Sequence, residues 1–309
     1  LKEVHFNTSS LSFKTVNMRG FAFVGNTRFM QLVDGMDNSS PALNFILGNL
    51  IGLSELDVAS VELLPGASSA LYGANAFNGI LFMNSKSPFT YQGISTYFKY
   101  GKTSQEAAGT NDYYDFGFRA ATAFTEKWAA KGNFTYLKGT EWIANDATSV
   151  TSGGATRDTN QNYDGINIYG DEVSTFIPNV GQVSRTGYRE QDLGDNKIES
   201  VKADFSLHFK PFTDSNLELI AQYKLGLGST IYQGANRYSL KNFFMNQIKF
   251  EIKNDNFFAR AYMTGEDAGD SYDMRFAGWN INRAWKSEQQ WCAHYAMAQP
   301  EAGADSGST

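Results

Sequence analysis

From residue 94 onward the chain alternates apolar and polar positions over long stretches. Residues 199–210 place Val201, Ala203, Phe205, Leu207 and Phe209 on one face, and Lys202, Asp204, Ser206, His208 and Lys210 on the other. Residues 128–138 repeat this with Trp128, Ala130, Phe134 and Tyr136 against Lys131, Asn133 and Thr135. Residues 114–124 set Phe116, Phe118 and Ala120 against Asp115 and Arg119. A period of two predicts strands with one apolar face. A soluble sheet usually has strands of about 5–6 residues. These are about twice as long, the length that crosses a bilayer at a tilt.

The connections sharpen that expectation. Short polar turns are expected at 124–127, 211–216 and 253–256, and long connections at 102–112, 139–197, 226–236 and after 265. Short turns alternating with long loops are the layout of a transmembrane barrel, with the short turns on the periplasmic side. Trp128, Phe209 and Phe212 fall near the short turns, where an interfacial aromatic girdle belongs. Residues 139–197, rich in Asn, Asp, Thr and Gly, read as a solvated loop.

The first ninety residues have a different pattern. Short strands are expected at 16–20 and 29–33, the second ending in an Asp34-Gly35 turn. Ser40-Pro41 opens an expected helix over 42–50. Asp57 is placed to cap or flank the next turn. Residues 58–88 then run strand, Pro65-Gly66 break, a small-residue segment over 67–78, and a second strand over 79–83. This is a small α/β unit, too small and polar for a large core of its own, so it is expected to pack against something else.

Composition narrows the class. Of 309 residues, 15% are aromatic and only 19% charged, and the net charge is −6. With no basic block, nucleic acid is not an expected partner. The single Cys292 excludes an internal disulfide and a cysteine-cluster metal site. No run of about 18 apolar residues marks a transmembrane helix, which leaves a barrel open. Leu1 in place of an initiator Met, with no signal-like stretch, is read as a processed chain or a fragment. Over 284–309, Trp285, Glu288, Gln289 and Cys292 fit a short amphipathic helix, with a small, polar, disordered end from residue 300.

Three segments then carry a resemblance: VNMRGF at 16–21, LVDG at 32–35, and VELLPGASSALYGANAFNGILFMNSKSP ending at Pro88. The chain resembles a TonB-dependent outer-membrane receptor of the Bacteroidetes type, with Ala67 where the family usually has Pro. The resemblance implies a plug domain over 1–90, lacking its early part, and the first barrel strands over 91–309. About seven strands are visible of the 22 expected for this size class. It implies a bacterial outer-membrane location and active uptake of a scarce ligand: a glycan, iron-siderophore, haem, cobalamin or peptide. The implied partners are the TonB complex, through a region outside this chain, outer-membrane lipid and a surface lipoprotein. No cofactor and no enzymatic role are implied. The plug-motif and plug–barrel contact residues are Arg19, Gly20, Arg28, Asp34, Gly35, Glu62, Gly66, Leu71, Tyr72, Gly73, Asn75, Asn78 and Gly79. Arg19, Arg28 and Glu62 are the charges expected to face barrel charges of opposite sign. Tyr97, Lys99, Trp142, Tyr163 and Tyr169 are the candidate ligand contacts.

Two rival classes are carried beside it. A soluble or surface β-rich binding module would have shorter strands. A barrel hydrolase would need a convergent Ser-His-acid set in the lumen. Ser68 in Gly66-Ala67-Ser68-Ser69-Ala70 lacks the closing Gly of a nucleophile elbow. The segment 34–38 lacks the alternating acids of a calcium loop and reads as a turn.

Overall fold

The computed structural model describes residues 4–20, 25–48, 50–213 and 215–305, with side chains through residue 298. Phe21 of the VNMRGF segment, Asn49 of the expected helix and residues 306–309 of the tail lie outside the described residues. The chain forms two compact units. The first takes residues 1–141, 197–234 and 240–271; the second takes 142–196, 235–239 and 272–309.

In chain order the elements begin with β1 (Val4–Thr8), β2 (Lys14–Met18), β3 (Phe29–Val33), β4 (Met36–Asp37) and a 3-10 turn (Glu55–Asp57). Next come β5 (Val58–Pro65), the one-turn helix α1 (Ser69–Tyr72) and β6 (Gly79–Ser85). The long strands β7 (Gly93–Gln105), β8 (Gly109–Ala123) and β9 (Trp128–Thr140) follow. A loop region holds β10 (Ile168–Tyr169), β11 (Ser174–Ile177), β12 (Gly181–Ser184), β13 (Tyr188–Arg189) and α2 (Glu190–Leu193). Long strands resume with β14 (Lys197–Phe209), β15 (Glu218–Gln233), β16 (Arg237–Lys253) and β17 (Phe258–Asp267). The chain closes with β18 (Tyr272–Asp273), α3 (Met274–Trp285) and α4 (Glu288–Asp305).

In the first unit β5 and β6 form an antiparallel pair, with Val61 opposite Met83 and Pro65 opposite Gly79. β6 also pairs in parallel with β3, and β3 turns into β4, giving the order β4-β3-β6-β5. The β3–β4 turn is Asp34-Gly35, with φ of 49° and 76°. Both residues being left-handed is what a tight primed hairpin turn demands, and an Asp-Gly pair supplies it. Two small apolar clusters support this sheet: Met18, Phe29, Ile46 and Leu81 in one, Met30, Ala76 and Ile80 in the other.

The seven long strands pair in chain order, β7-β8-β9-β14-β15-β16-β17, as an antiparallel sheet that is not closed into a barrel. They run from 10 residues in β17 to 17 in β16. Burial is inverted relative to a soluble sheet. Arg119, Lys131, Asn133, Lys202, Gln222 and Lys249 are buried, while Phe98, Phe118, Phe134, Phe205 and Phe250 on the opposite face are exposed. An apolar band of this kind is solvated by hydrocarbon rather than by water. Trp128 stacks on Phe209 at 4.2 Å beside the short turns, with Phe124 and Phe212 exposed nearby.

Three expectations are corrected. The connections expected at 102–112 and 226–236 are mostly strand, so only residues 106–108 and 234–236 link β7 to β8 and β15 to β16. Short and long connections therefore do not alternate strictly. Polar residues there continue the ladder instead of leaving it: Lys102 pairs opposite Asp112, and Ser104 opposite Thr110. The expected helix over 42–50 is a series of turns, because Asn44 and Gly48 adopt left-handed φ of 56° and 55° that an α-helix does not admit. The tail is two helices rather than one. Asp273 caps α3 by accepting from the N–H groups of Arg275 and Phe276, α3 ends at Trp285, and α4 continues through residue 305 where disorder was expected.

In the second unit the long loop is a packed structure. β10 pairs with β13 and β11 with β12. Arg237 grips the fully buried Glu190 at 2.8 Å and donates to the Trp142 carbonyl at 3.1 Å. Arg185 donates to the Asn282 and Lys286 carbonyls, which satisfies the last turn of α3.

Candidate functional site

The first unit concentrates its buried charge between the small sheet and the inward face of the long strands. Two carboxylates organise it. Asp57, at the end of the 3-10 turn, is fully buried. Its Oδ1 accepts from Arg119 Nε at 2.7 Å, and its Oδ2 accepts from Lys131 Nζ at 2.7 Å and Asn133 Nδ2 at 3.1 Å. Arg119, Lys131 and Asn133 come from neighbouring strands β8 and β9, and the period of two brings all three to the same face. The two cations also hold the segment leading into β7. Lys131 donates to the Lys86 carbonyl at 2.8 Å and Arg119 to the Tyr91 carbonyl at 2.9 Å. The segment thereby gains two charge-assisted bonds in a dry setting, the strong kind.

Asp34, in the β3–β4 turn, is the second carboxylate. Its Oδ1 accepts from the Ser85 N–H at 2.8 Å, and its Oδ2 lies 3.2 Å from Gln222 Nε2 and 3.3 Å from Lys224 Nζ on β15. Lys249 on β16 donates to the Asp34 carbonyl at 3.3 Å. Burial pushes the Asp34 carboxyl up, but Lys224, Lys249, Lys131 and the Ser85 N–H outweigh it and hold the group well below the usual carboxylate range. Gly35 beside it takes a left-handed φ of 76°, which favours glycine. Arg260 donates to its carbonyl at 3.1 Å, and a Cβ on residue 35 would lie 1.7 Å from the guanidinium. A polar cleft of about 610 Å³ borders this carboxylate, with Lys249, Glu251, His208 and Glu218 among its walls.

Further contacts join the same two layers. Glu141 accepts from the Leu11 and Ser12 N–H groups. Ser40 Oγ donates to Glu266 at 2.7 Å. Gln247 donates to the Asp37 carbonyl at 2.7 Å. Phe13 stacks on Tyr232 at 4.5 Å. Gly226 and Gly228 on β15 admit the loop at Leu50 and Ile51, since a Cβ at Gly226 would lie 2.7 Å from the Leu50 carbonyl oxygen.

The expected site residues take these positions. Arg19 and Gly20 form a left-handed turn, with φ of 53° and 76°. Arg19, Arg28 and Glu62 are exposed, and among the described residues neither Arg28 nor Glu62 has an ion pair with the long strands. The buried ion pairs run through Asp34 and Asp57 instead. Gly66 and Gly73 are left-handed, and Gly79 lies where a Cβ would meet Met18 Sδ at 2.6 Å. Asn75 donates to Asn44 at 2.7 Å, and the Asn78 N–H donates to the Arg28 carbonyl at 2.7 Å. Leu71 is 83% exposed, and Tyr72 packs edge-on against Phe82. Tyr97 and Lys99 do share the inward face. Tyr97 donates to Asp115 at 2.9 Å, and Lys99 pairs with Glu55 at 2.7 Å.

In the second unit Tyr163 and Tyr169 are 5% and 4% exposed. Tyr163 donates to the Ala147 carbonyl. Trp142 is half-exposed there.

Asp57 is the residue that sequence reasoning missed as an anchor. Its partners lie more than sixty positions away, at Arg119 and Lys131. The available signal was cationic residues on the polar face of two adjacent strands.

Ser206, His208 and Glu218 also form a hydrogen-bonded chain, with distances of 2.9 Å and 2.7 Å. Ser206 sits mid-strand, with β9 on one side and β15 on the other. The ladder on both sides leaves no pair of free N–H groups there to stabilise an oxyanion.

Comparison with known proteins agrees with this architecture. Residues 2–80 match the family model described as TonB-dependent Receptor Plug Domain. No curated protein matches the chain in sequence. Among solved structures, a mutant ferric enterobactin receptor, PfeA of Pseudomonas aeruginosa, in complex with enterobactin is similar at a TM-score of 0.51 and 15% identity, over 85% of this chain and 37% of that one. The ferric yersiniabactin uptake receptor FyuA of Yersinia pestis gives 0.44 and 14%, over 86% and 46%. The unliganded ferric citrate transporter FecA gives 0.44 and 12%, over 88% and 47%. The chain thus spans under half the length of these receptors. Residues 2–80 thus match the plug domain of TonB-dependent receptors, and the chain shares the fold of a plug followed by antiparallel barrel strands. The comparisons do not distinguish the Bacteroidetes type.

Proposed function

We propose that this chain serves TonB-dependent uptake of a scarce ligand across the outer membrane, with Asp57 and Asp34 anchoring the plug to the strand wall. The observation that carries this is the buried Asp57, tied to Arg119 and Lys131 at 2.7 Å each. A charged, dry contact between plug and wall is costly to make and costly to break. It suits an element that must stay shut until force is applied. The division at about residue 90, plug before and wall after, belongs to the same proposal. Arg19, Arg28 and Glu62 remain candidates for pairing with wall charges outside this sheet. Tyr97 and Lys99 are candidates for ligand contact only where the Asp115 and Glu55 pairings open. The cargo classes proposed are a glycan, an iron-siderophore, haem, cobalamin or a peptide. The TonB complex and a surface lipoprotein are the proposed protein partners.

The test is uptake by cells carrying the full-length receptor, using radiolabelled cobalamin, ferric enterobactin, haemin, a peptide mixture and oligosaccharides as probes. Uptake of at least one probe that disappears on deletion of TonB is the expected result. Uptake that persists without TonB would overturn the proposal.

A further inference from the structure

In the second unit, residues 142–196 fold around a carboxylate that water does not reach. Asp171 is 1% exposed. Its Oδ2 accepts from the Gly165 N–H at 3.1 Å, and its Oδ1 has no hydrogen-bond partner. The surroundings are tight. A Cβ on Gly187 would lie 3.2 Å from Asp171 Cβ and 3.0 Å from the Tyr169 carbonyl oxygen. A Cβ on Gly278 would lie 2.3 Å from that same oxygen. Water cannot be admitted to Oδ1 unless this packing opens.

The charged and titratable groups around it are mainly acidic. Glu172 and Asp164 are the nearby carboxylates. Arg275 on α3 lies 3.6 Å from Glu172 and also acts on Asp164. Tyr163 faces Asp171 with its hydroxyl committed to Ala147. Glu190 and Arg237 lie near Tyr169 and are paired with each other. Among the described residues no cation pairs with Asp171.

We propose that Asp171 is a proton-operated latch: protonated, it lets residues 142–196 close over it, and ionised, it loosens them. An ionised oxygen without a donor bears its full desolvation cost, whereas the neutral acid bears much less. Burial is the main cause that pushes its pKa to about 7, aided by Glu172 and Asp164 and opposed by the Gly165 N–H and its own backbone N–H. A folded value above the unfolded value means the closed state is most stable in acid. It weakens as pH rises from the ordinary carboxylate range to about 7, and is no weaker beyond that.

The test is hydrogen exchange in peptides within 160–187 of the detergent-solubilised receptor, corrected for intrinsic rates. Opening should rise on the order of 30-fold between about pH 5.5 and about pH 8.5. Asp171→Asn should cut that response to under about two-fold, while Asp164→Asn and Glu172→Gln keep it. A wild-type loop indifferent to pH, or an Asp171→Asn loop with the full response, overturns the latch. Should Asp171→Asn not fold, the wild-type curve decides: a plateau reached near pH 7 supports the latch, and one already reached near pH 5 overturns it.

Discussion

Asp57 and Asp34 perform the same task in different surroundings. Asp57 has two cations at 2.7 Å, and its own side chain and both cations are nearly or fully buried. Asp34 has one cation at 3.3 Å and a polar cleft beside it. Asp57 also shares its cations with the segment leading into β7, so one knot holds both the 3-10 turn and the chain's exit from the plug. Asp34 ties the β3–β4 turn to Ser85 at the end of β6 and to β15 and β16. The contrast teaches that buried charge alone does not set the strength of an anchor. What matters is how many groups are left uncompensated when the carboxylate goes.

The largest test of that contrast is Asp57→Asn. It leaves Arg119 and Lys131 buried with carbonyl partners and, among the described residues, no directly paired carboxylate, although Lys131 still feels Asp34 and Asp204. Breaking a buried pair in this way costs about 3–5 kcal/mol. Urea unfolding of the plug, followed by protease cleavage in detergent, reads that loss directly. A cost under about 1 kcal/mol would mean the knot is not what holds the exit segment.

Asp34→Asn comes next, at about 1–3 kcal/mol, because Asn can still accept from the Ser85 N–H. Its pH dependence runs opposite to that of Asp171. The Asp34 pKa is depressed in the folded state, so its contribution is present above the ordinary carboxylate range and is lost as pH falls below it. Plug unfolding in wild type and Asp34→Asn should therefore differ at neutral pH and converge in acid. Curves that diverge in acid would refute the assignment.

How much of this could be read beforehand depends on the range of the interactions involved. The strands of residues 94–264 were legible because alternation is local. Their charged faces are the buried ones, as a wall packed on a polar plug requires. Asp34 was legible through its Asp-Gly turn. Asp57 was not, because nothing next to it announces Arg119. The helix expected over 42–50 failed at Asn44 and Gly48, the residue types that most readily take the left-handed backbone found there. Tyr163 and Tyr169 look the same in sequence whether they face a ligand or each other's loop. Only the fold shows them buried.

A steric probe separates fit from charge between the anchors. Gly226 on β15 lets the loop after Leu50 lie against the wall, and a Cβ there would meet Ile51 Cβ at 3.1 Å as well as the Leu50 carbonyl oxygen. Gly226→Ala should cost about 1 kcal/mol by overpacking, with no dependence on pH. Measuring it at neutral and acidic pH beside Asp34→Asn distinguishes the two mechanisms. A pH-dependent Gly226→Ala would show that the loop and the Asp34 anchor open together.

The smallest effect is expected at Glu266. It accepts from Ser40 Oγ at 2.7 Å and from the Ala42 N–H at 3.3 Å, but it is only half-buried at the end of β17 and, among the described residues, has no cation paired with it. Both donors reach the same oxygen, Oε2, so the amide oxygen of Gln at this position can still accept from both. Neutral hydrogen bonds contribute about 0.5–1.5 kcal/mol each, so Glu266→Gln should cost at most about 1 kcal/mol in the same plug-cleavage assay. If the ranking by uncompensated charge is correct, Glu266→Gln falls well below Asp57→Asn and at or below Asp34→Asn. A Glu266→Gln plug as weak as Asp57→Asn would instead place the main anchor at the loop over 40–42, and the two buried carboxylates would be bystanders.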